Sequence, residues 1–386
     1  MNKKILSVSA AAVLAFRLAS SLSCIRSYAD DNVICSEVLA EAETGKLLYE
    51  ENAYEKHPSG SLCKLMTVLL AAEAVQRGEI SYDTVCTATE HANSMQGAQI
   101  WLMPGDKMTL GELMKAVIIG NANDAAAVIS EAVSGTEERF TELMNSRADE
   151  LGMTDTNYVN ASGYESGGAY TTAADTARLL CALSEHDELT EIFTSRLDYL
   201  NDGQVQLVTS NPSAVRCKGG LGFKAGFTGS GEQQRFYAAQ GAARDGETYV
   251  SVIIGSEDED YAAVKSQELL DYGFQVFDTV IPDIPEDVPS SVKVKNGTKN
   301  SVRTEVKGLD SMVISAGSSG KISSRTAVSE YIFAPVEKGE CVGQIMYYYN
   351  GKHAFTADIC AVGNVGAKNT EYMLFKMLKK LIDFGS

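Results

Sequence analysis

The sequence predicts an α+β fold in which a mixed helical and stranded region is followed by a smaller β-rich module and an amphipathic tail. Three observations carry that prediction. Leu62, Leu65, Met66, Leu69 and Leu70 recur at helical spacing up to Val75. Phe236 to Gln240 and Thr248 to Ile254 are strand-like runs on either side of an Asp245-Gly246 turn. Ile281 to Pro289 holds three of the seven prolines and reads as an extended linker, after which strand patterns dominate. With 386 residues the chain exceeds one ordinary domain.

The chain opens with a basic Asn2-Lys3-Lys4, an apolar run from Ile5 to Phe16 that is too short to span a bilayer, and a small-x-small cleavage site at Ser27-Tyr28-Ala29. This predicts an exported protein with a leader over residues 1–29. Arg17 interrupts the end of the apolar run, and Ser21-Leu22-Ser23 before Cys24 is a poor lipoprotein signal.

Pro58 and Ser59 read as the start of a helix that runs from Ser61 to Gln76. Ser61 and Lys64, at i and i+3, then share a face on which an amine can reach the hydroxyl. Serine is a weak nucleophile until a base takes its proton, and lysine can do so only if burial and nearby positive charge lower its pKa. Lys224 is the candidate for that second charge. The helix N-terminus adds a positive field around Ser61, and its free N–H groups can help form an oxyanion hole. Ser290 to Lys293 and Ser318 to Lys321 have the same spacing, but neither opens an apolar helix.

Asn121-Ala122-Asn123 precedes a second helix, Asp124 to Val133, stopped near Gly135. Lys224-Ala225-Gly226 is expected on a strand lining the opposite wall of a cleft. Three polar segments, distant in sequence, would converge there, as acyl transfer requires. Gly219, Gly220 and Gly222 read as a flexible loop, whereas Gly226 could let a substrate backbone approach the strand. A phosphate loop is disfavoured because no Gly-Lys-Ser/Thr follows.

The segments His57-Pro58-Ser59-Gly60-Ser61-Leu62-Cys63-Lys64-Leu65-Met66-Thr67, Ile119-Gly120-Asn121-Ala122-Asn123-Asp124-Ala125-Ala126 and Gly222-Phe223-Lys224-Ala225-Gly226-Phe227-Thr228 resemble the serine D-alanyl-D-alanine carboxypeptidases. These are low-molecular-weight penicillin-binding proteins related to the class A β-lactamases, with motifs Ser-x-x-Lys, Ser-x-Asn and Lys-Thr-Gly. The likeness extends through Ala42 to Tyr49, Asn160 to Gly163 and Leu269 to Phe274. It implies a transpeptidase-like domain (an antiparallel sheet with flanking helices) over residues 30–278 and a small β-sandwich over 279–366. It also implies roles: Ser61 attacks the carbonyl between two terminal D-alanines, Lys64 takes its proton, Asn123 orients the substrate amide and Lys64, and Lys224 with Thr228 binds the terminal carboxylate.

Three positions depart from the pattern. Asn121 stands where the family has a proton-passing serine, Ala225 replaces the threonine that helps hold the carboxylate, and Cys63 replaces a common threonine. Loss of the hydroxyl at Ala225 removes one hydrogen bond to a charged group, on the order of 1.5–3 kcal/mol, or about ten- to a hundredfold in rate. Asn121 is polar but no ordinary acid or base, so proton transfer would rely on Lys64 or water. Two alternatives stay open. A β-lactamase would need fast deacylation, for which no clear Glu-x-x-x-Asn element is present in the expected interval. A non-catalytic wall-binding or scaffold relative would explain Asn121 and Ala225 together.

A net charge of −18 argues against nucleic acid as a partner. The eight cysteines lack regular spacing, and removing Cys24 with the leader leaves an odd set, which argues against a disulfide framework. Cys63 is expected to be a buried, inert thiol turned off the face of Ser61 and Lys64. No C-x-x-C pair exists and the four histidines are isolated, so neither a metal nor any other cofactor is expected, and His57 reads as a loop residue rather than a base. The implied partners are peptidoglycan stem peptides ending in D-Ala-D-Ala, and β-lactam antibiotics.

Beyond the linker, Ser301 to Lys307, Ser311 to Ala316, Glu330 to Ala334 and Gly343 to Tyr349 are candidate strands, and Asn350-Gly351 signals a two-residue hairpin. Tyr347, Tyr348 and Tyr349 read as an aromatic strand split between core and surface. In the tail, residues 367–386, Tyr372 to Phe384 forms an amphipathic pattern with Lys376, Lys379 and Lys380 on one side. It could pack on the sandwich. The resemblance and the cationic stripe favour the membrane-water interface on the extracytoplasmic side of the cytoplasmic membrane.

Overall fold

The computed structural model describes residues 35–164, 167–201, 203–209, 211, 217–229 and 233–368. The expected leader and the expected tail helix lie outside these residues.

The first region is built on a five-stranded antiparallel sheet. Its strands are β1 (Ser36–Glu41), β2 (Leu47–Glu51), β3 (Lys224–Thr228), β4 (Arg235–Arg244) and β5 (Glu247–Ser256), in the order β2-β1-β5-β4-β3. Both faces of the sheet are covered. Helix α1 (Cys63–Gln76), α2 (Leu110–Ile118), α3 (Asn123–Ser134), α4 (Glu137–Glu150) and α5 (Ala173–Ser184) form a helical layer on one face. Helix α6 (Glu259–Val276) seals the other face through Ala262, Leu269 and Leu270 against Leu39, Ala238, Tyr249 and Ile253. This two-sided covering explains why β1 is buried along its whole length rather than at alternate residues.

The β4–β5 hairpin turns through Asp245 at φ 53° and Gly246 at φ 89°, the pair of positive φ values that an Asp-Gly loop supplies. Both strands run longer than their sequence signal. Gly241, Ala242 and Ala243 have little strand propensity, but Ala242 is fully buried and the bare Cα of Gly241 leaves room for the Phe223 ring.

The helix expected from Ser61 begins differently. Gly60–Leu62 form a 3-10 turn, and the α-helix proper starts at Cys63. Every residue of α1 from Cys63 to Ala74 is buried, so it is a central helix, not an amphipathic surface one. Helix α3 ends as expected at Gly135, at φ 87°.

The second region comprises β6 (Phe277–Val280), β7 (Ser291–Lys295), β8 (Ser301–Lys307), β9 (Met312–Ser315), β10 (Ile322–Val328), β11 (Tyr331–Phe333), β12 (Cys341–Tyr349) and β13 (Lys352–Ala361). Strands β6 and β9 pair as a ribbon, and the remaining six are ordered β10-β12-β13-β8-β7-β11. Strand β8 pairs with β7 through Ser301–Arg303 and with β13 through Thr304–Lys307, so one strand serves both halves. Val292, Val294, Val302, Ile345, Tyr347 and Ile359 meet in a single core. The Asn350-Gly351 turn joins β12 to β13, and Tyr347 is buried while Tyr348 and Tyr349 are half-buried.

Candidate active site

Ser61 sits half-buried in the 3-10 turn, pressed against β3. Gly60 makes that approach possible: it lies at φ 47°, and a Cβ there would sit 2.6 Å from Cγ2 of Thr228. The turn that carries Ser61 runs directly into the helix that carries Lys64. Lys64 is the second residue of the helix proper, three residues on from Ser61. Its ammonium donates to Asn123 Oδ1 at 2.6 Å and to the carbonyl of Ser162 at 2.7 Å. The hydrogen bond at Ser61 Oγ is instead shared with the Tyr237 hydroxyl, at 2.6 Å.

The three expected segments do converge. Asn123 opens α3 and is 4% exposed, with its backbone N–H donating to Ala98 O at 2.7 Å and its side-chain amide to Gln96 O at 2.5 Å. Asp124 beside it accepts from the backbone N–H groups of Ile100 and Leu102 and so fastens the 96–102 loop to the cleft rim. Asn121 adopts φ 55°, a left-handed conformation that asparagine tolerates, and its Oδ1 accepts from Lys224 Nζ at 2.9 Å. Lys224 and Thr228 are buried on β3, and Ala225 and Gly226 between them are half-buried.

Two lysines are thus held out of water. Burial pushes Lys64 down to about 8. Burial, with the charge of Lys64 adding to it, pushes Lys224 down to about 7. The expected repulsion between them is present, but it weighs on Lys224, whereas Lys64 is depressed by desolvation. Burial also pushes Cys63 up to about 12, and its thiol points at Ala161 O, as an inert thiol would. His57 shares a hydrogen bond with Ser36 Oγ at 2.8 Å on the adjoining strand.

Sequence reasoning missed three groups: Tyr237, the Ser162 carbonyl and the Asp124 carboxylate. Tyr237 pairs with Gly226 across β3 and β4, on the face that Lys224 occupies. Only the strand register reveals this, and no motif encodes it. Among the described residues no group of three or more His, Cys, Asp and Glu side chains is placed to hold a metal ion.

A half-exposed serine above two buried, amide-held lysines is an arrangement suited to acyl transfer. Residues 28–258 match the family described as D-alanyl-D-alanine carboxypeptidase, and residues 283–367 match the penicillin-binding protein 5 C-terminal domain. The chain is 30% identical over 322 residues to the D-alanyl-D-alanine carboxypeptidase DacF of Bacillus subtilis, covering 82% of each. It is 30% identical over 337 residues to DacC of Escherichia coli, covering 85% of this chain and 83% of that protein. Its fold is similar to that of penicillin-binding protein 5 from Haemophilus influenzae, with a TM-score of 0.73 and 23% identity over 88% of this chain and 99% of that one. It is also similar to penicillin-binding protein D2 from Listeria monocytogenes in its cefotaxime-bound form, with a TM-score of 0.55 and 27% identity over 62% of this chain and 96% of that one. The chain belongs to the D-alanyl-D-alanine carboxypeptidase family, with a transpeptidase-like α+β domain followed by the β-rich penicillin-binding protein 5 C-terminal domain.

Proposed function

We propose that the chain removes the terminal D-alanine from peptidoglycan stem peptides through an acyl-enzyme on Ser61. The observation that carries this reading is a buried Lys64, held by Asn123 and the Ser162 carbonyl three residues on from a half-buried serine, with burial pushing its pKa down to about 8. A neutral amine is available there near neutral pH without any histidine. Lys64 takes the Ser61 proton, and the new ammonium is met by Asn123 and the Ser162 carbonyl. The backbone N–H of Ser61 and one from β3 hold the developing oxyanion. Lys224 and Thr228 receive the substrate carboxylate, and the bare Gly226 leaves the strand open to the substrate backbone. Asn121 keeps Lys224 in place as a hydrogen-bond acceptor, the part of the missing serine's work that an amide can do. At Ala225 no hydroxyl replaces the missing threonine.

Penicillins are expected to acylate the same serine, in keeping with the cefotaxime-bound Listeria relative. We assign residues 1–29 to a leader, 30–278 to the peptidase domain, 279–368 to the β-rich domain, since Ala367 and Lys368 still pair with Gly297 and Asn296, and the remainder to a membrane-association segment. This division supports a site on the extracytoplasmic face of the cytoplasmic membrane. No described helix is long and apolar enough to cross a membrane.

The test is intact mass after incubation with a penicillin, on the parent and on Ser61→Ala, followed by D-alanine release from a pentapeptide. The expected result is one adduct on the parent, none on the variant, and D-alanine from the parent alone. An unmodified parent overturns the acyl-enzyme reading. An adduct without D-alanine turns the reading to a penicillin-binding relative without peptidase turnover.

A further inference from the structure

We propose that Tyr237 is the acid of this site: its hydroxyl delivers the proton that the departing D-alanine nitrogen needs, in place of the hydroxyl that Asn121 lacks. The proposal rests on Ser61 being the nucleophile.

The first ground is placement. Tyr237 is 2% exposed, and its ring rises from β4 beneath Gly226. A Cβ on Gly226 would lie 2.7 Å from the phenol oxygen, so the glycine supplies the space the hydroxyl occupies. A buried tyrosine ordinarily satisfies its O–H on an inert acceptor. Here the partner at 2.6 Å is the oxygen that attacks the substrate.

The second ground is that each of the other polar groups already has a task or a partner, Lys64 as the base for Ser61. Lys64 donates to Asn123 and Ser162, Lys224 donates to Asn121, and the Cys63 thiol is directed at Ala161. Asn121 carries no acidic proton. The phenol is protonated at neutral pH, and because burial holds it above its ordinary range it gives that proton up only to a strong base such as the departing amide nitrogen.

The proton inventory closes. Ser61 Oγ–H passes its proton to neutral Lys64 as the Oγ–C bond forms. As the C–N bond breaks, the nitrogen takes the Tyr237 proton and D-alanine leaves as a free amine. The phenolate removes a proton from the water that attacks the acyl-enzyme. The Oγ–C bond then breaks, and Ser61 Oγ recovers its proton from Lys64.

An acid is needed only when the leaving group is a poor one, so the discriminating experiment compares an amide with a thioester, whose thiolate departs unprotonated. Tyr237→Phe is assayed beside the parent for acylation by a D-Ala-D-Ala peptide and for the thiolate burst from an acyl-D-alanyl thioester. General acid catalysis contributes about 10²–10⁴-fold, so amide acylation should fall by roughly 10²-fold or more while the thioester burst rate stays within about threefold. Equal losses on both substrates would make Tyr237 a positioning group for Ser61 and overturn the proposal, and so would unchanged amide turnover. Should the phenylalanine variant not fold, 3-fluorotyrosine at position 237 keeps the shape and alters only the acidity. The amide rate must then move while the thioester rate does not. A parent whose thiolate release matches that of Ser61→Ala refutes the Ser61 nucleophile, and the acid role falls with it; release that depends on Ser61 separates the two questions.

Discussion

Asn123→Ala probes the control of Lys64 most directly. The asparagine supplies one of the two oxygens that solvate a buried ammonium, at 2.6 Å, and the other is the main-chain carbonyl of Ser162. A hydrogen bond to a charged group is worth about 1.5–3 kcal/mol, and one pKa unit is about 1.36 kcal/mol, so its loss disfavours the charged lysine by roughly one to two units. Lys64 already lies at about 8 through burial, so its titration should move further toward acid. With the neutral amine as the proposed base, acylation rises as pH rises through this value, and the rising limb of the profile should shift to lower pH in the variant. The plateau should fall at the same time, since the amine is a weaker base and less well held. The assay is the second-order rate of acylation by a chromogenic β-lactam across the neutral range, on parent and variant. A limb that stays in place, or moves toward alkali, refutes the claim that Lys64 is the base held by Asn123.

Four further outcomes follow from the same geometry. Gly163→Ala should destabilise by roughly 2–4 kcal/mol in a denaturant melt, because its Cβ lands on the Gly60 carbonyl and its φ of 72° resists a side chain; an unchanged midpoint contradicts this. Gly226→Ala should displace the Tyr237 hydroxyl and slow acylation about tenfold with little change in melting, and parity with the parent would show the phenol contact to be idle. Ala225→Thr should raise acylation by a carboxylate-bearing penicillin about tenfold or more but leave its methyl ester unaffected; an equal gain on both argues against carboxylate recognition. For Lys224, the unfolded chain keeps a proton up to about 10.5 that the folded site sheds from about 7. Stability should therefore rise with pH across that window in the parent, and the rise should flatten in Lys224→Met; identical slopes would place the depressed lysine elsewhere.

The groups that sequence alone located, Ser61, Lys64, Asn121, Asn123 and Lys224, were legible because each lies at a short, fixed offset within one local element. The Asp245-Gly246 and Asn350-Gly351 hairpins were legible for the same reason, since positive φ values are written into those residue pairs. Tyr237 was not, because its proximity to Ser61 depends on the β3–β4 register, a relation across an 11-residue loop-and-strand interval with no periodic signature. The 3-10 opening of α1 was missed because helical spacing over a few residues does not separate a 3-10 turn from an α-turn. Strand β10 was also missed: Ser323, Ser324 and Arg325 break any apolar alternation, and the strand forms by pairing with β12 along its length.

Half of the support under Lys64 is main chain. A side-chain acceptor can be lost by a single codon change, but the carbonyl of Ser162 survives every substitution at its own position that preserves the loop. The same holds at the rim, where Asp124 grips the N–H groups of Ile100 and Leu102 whatever side chains those positions carry. A cleft anchored this way tolerates drift in its motifs. Hydroxyls can disappear at positions 121 and 225 while the lysine stays where it is, so the sequence signature of such a site can erode faster than the site itself.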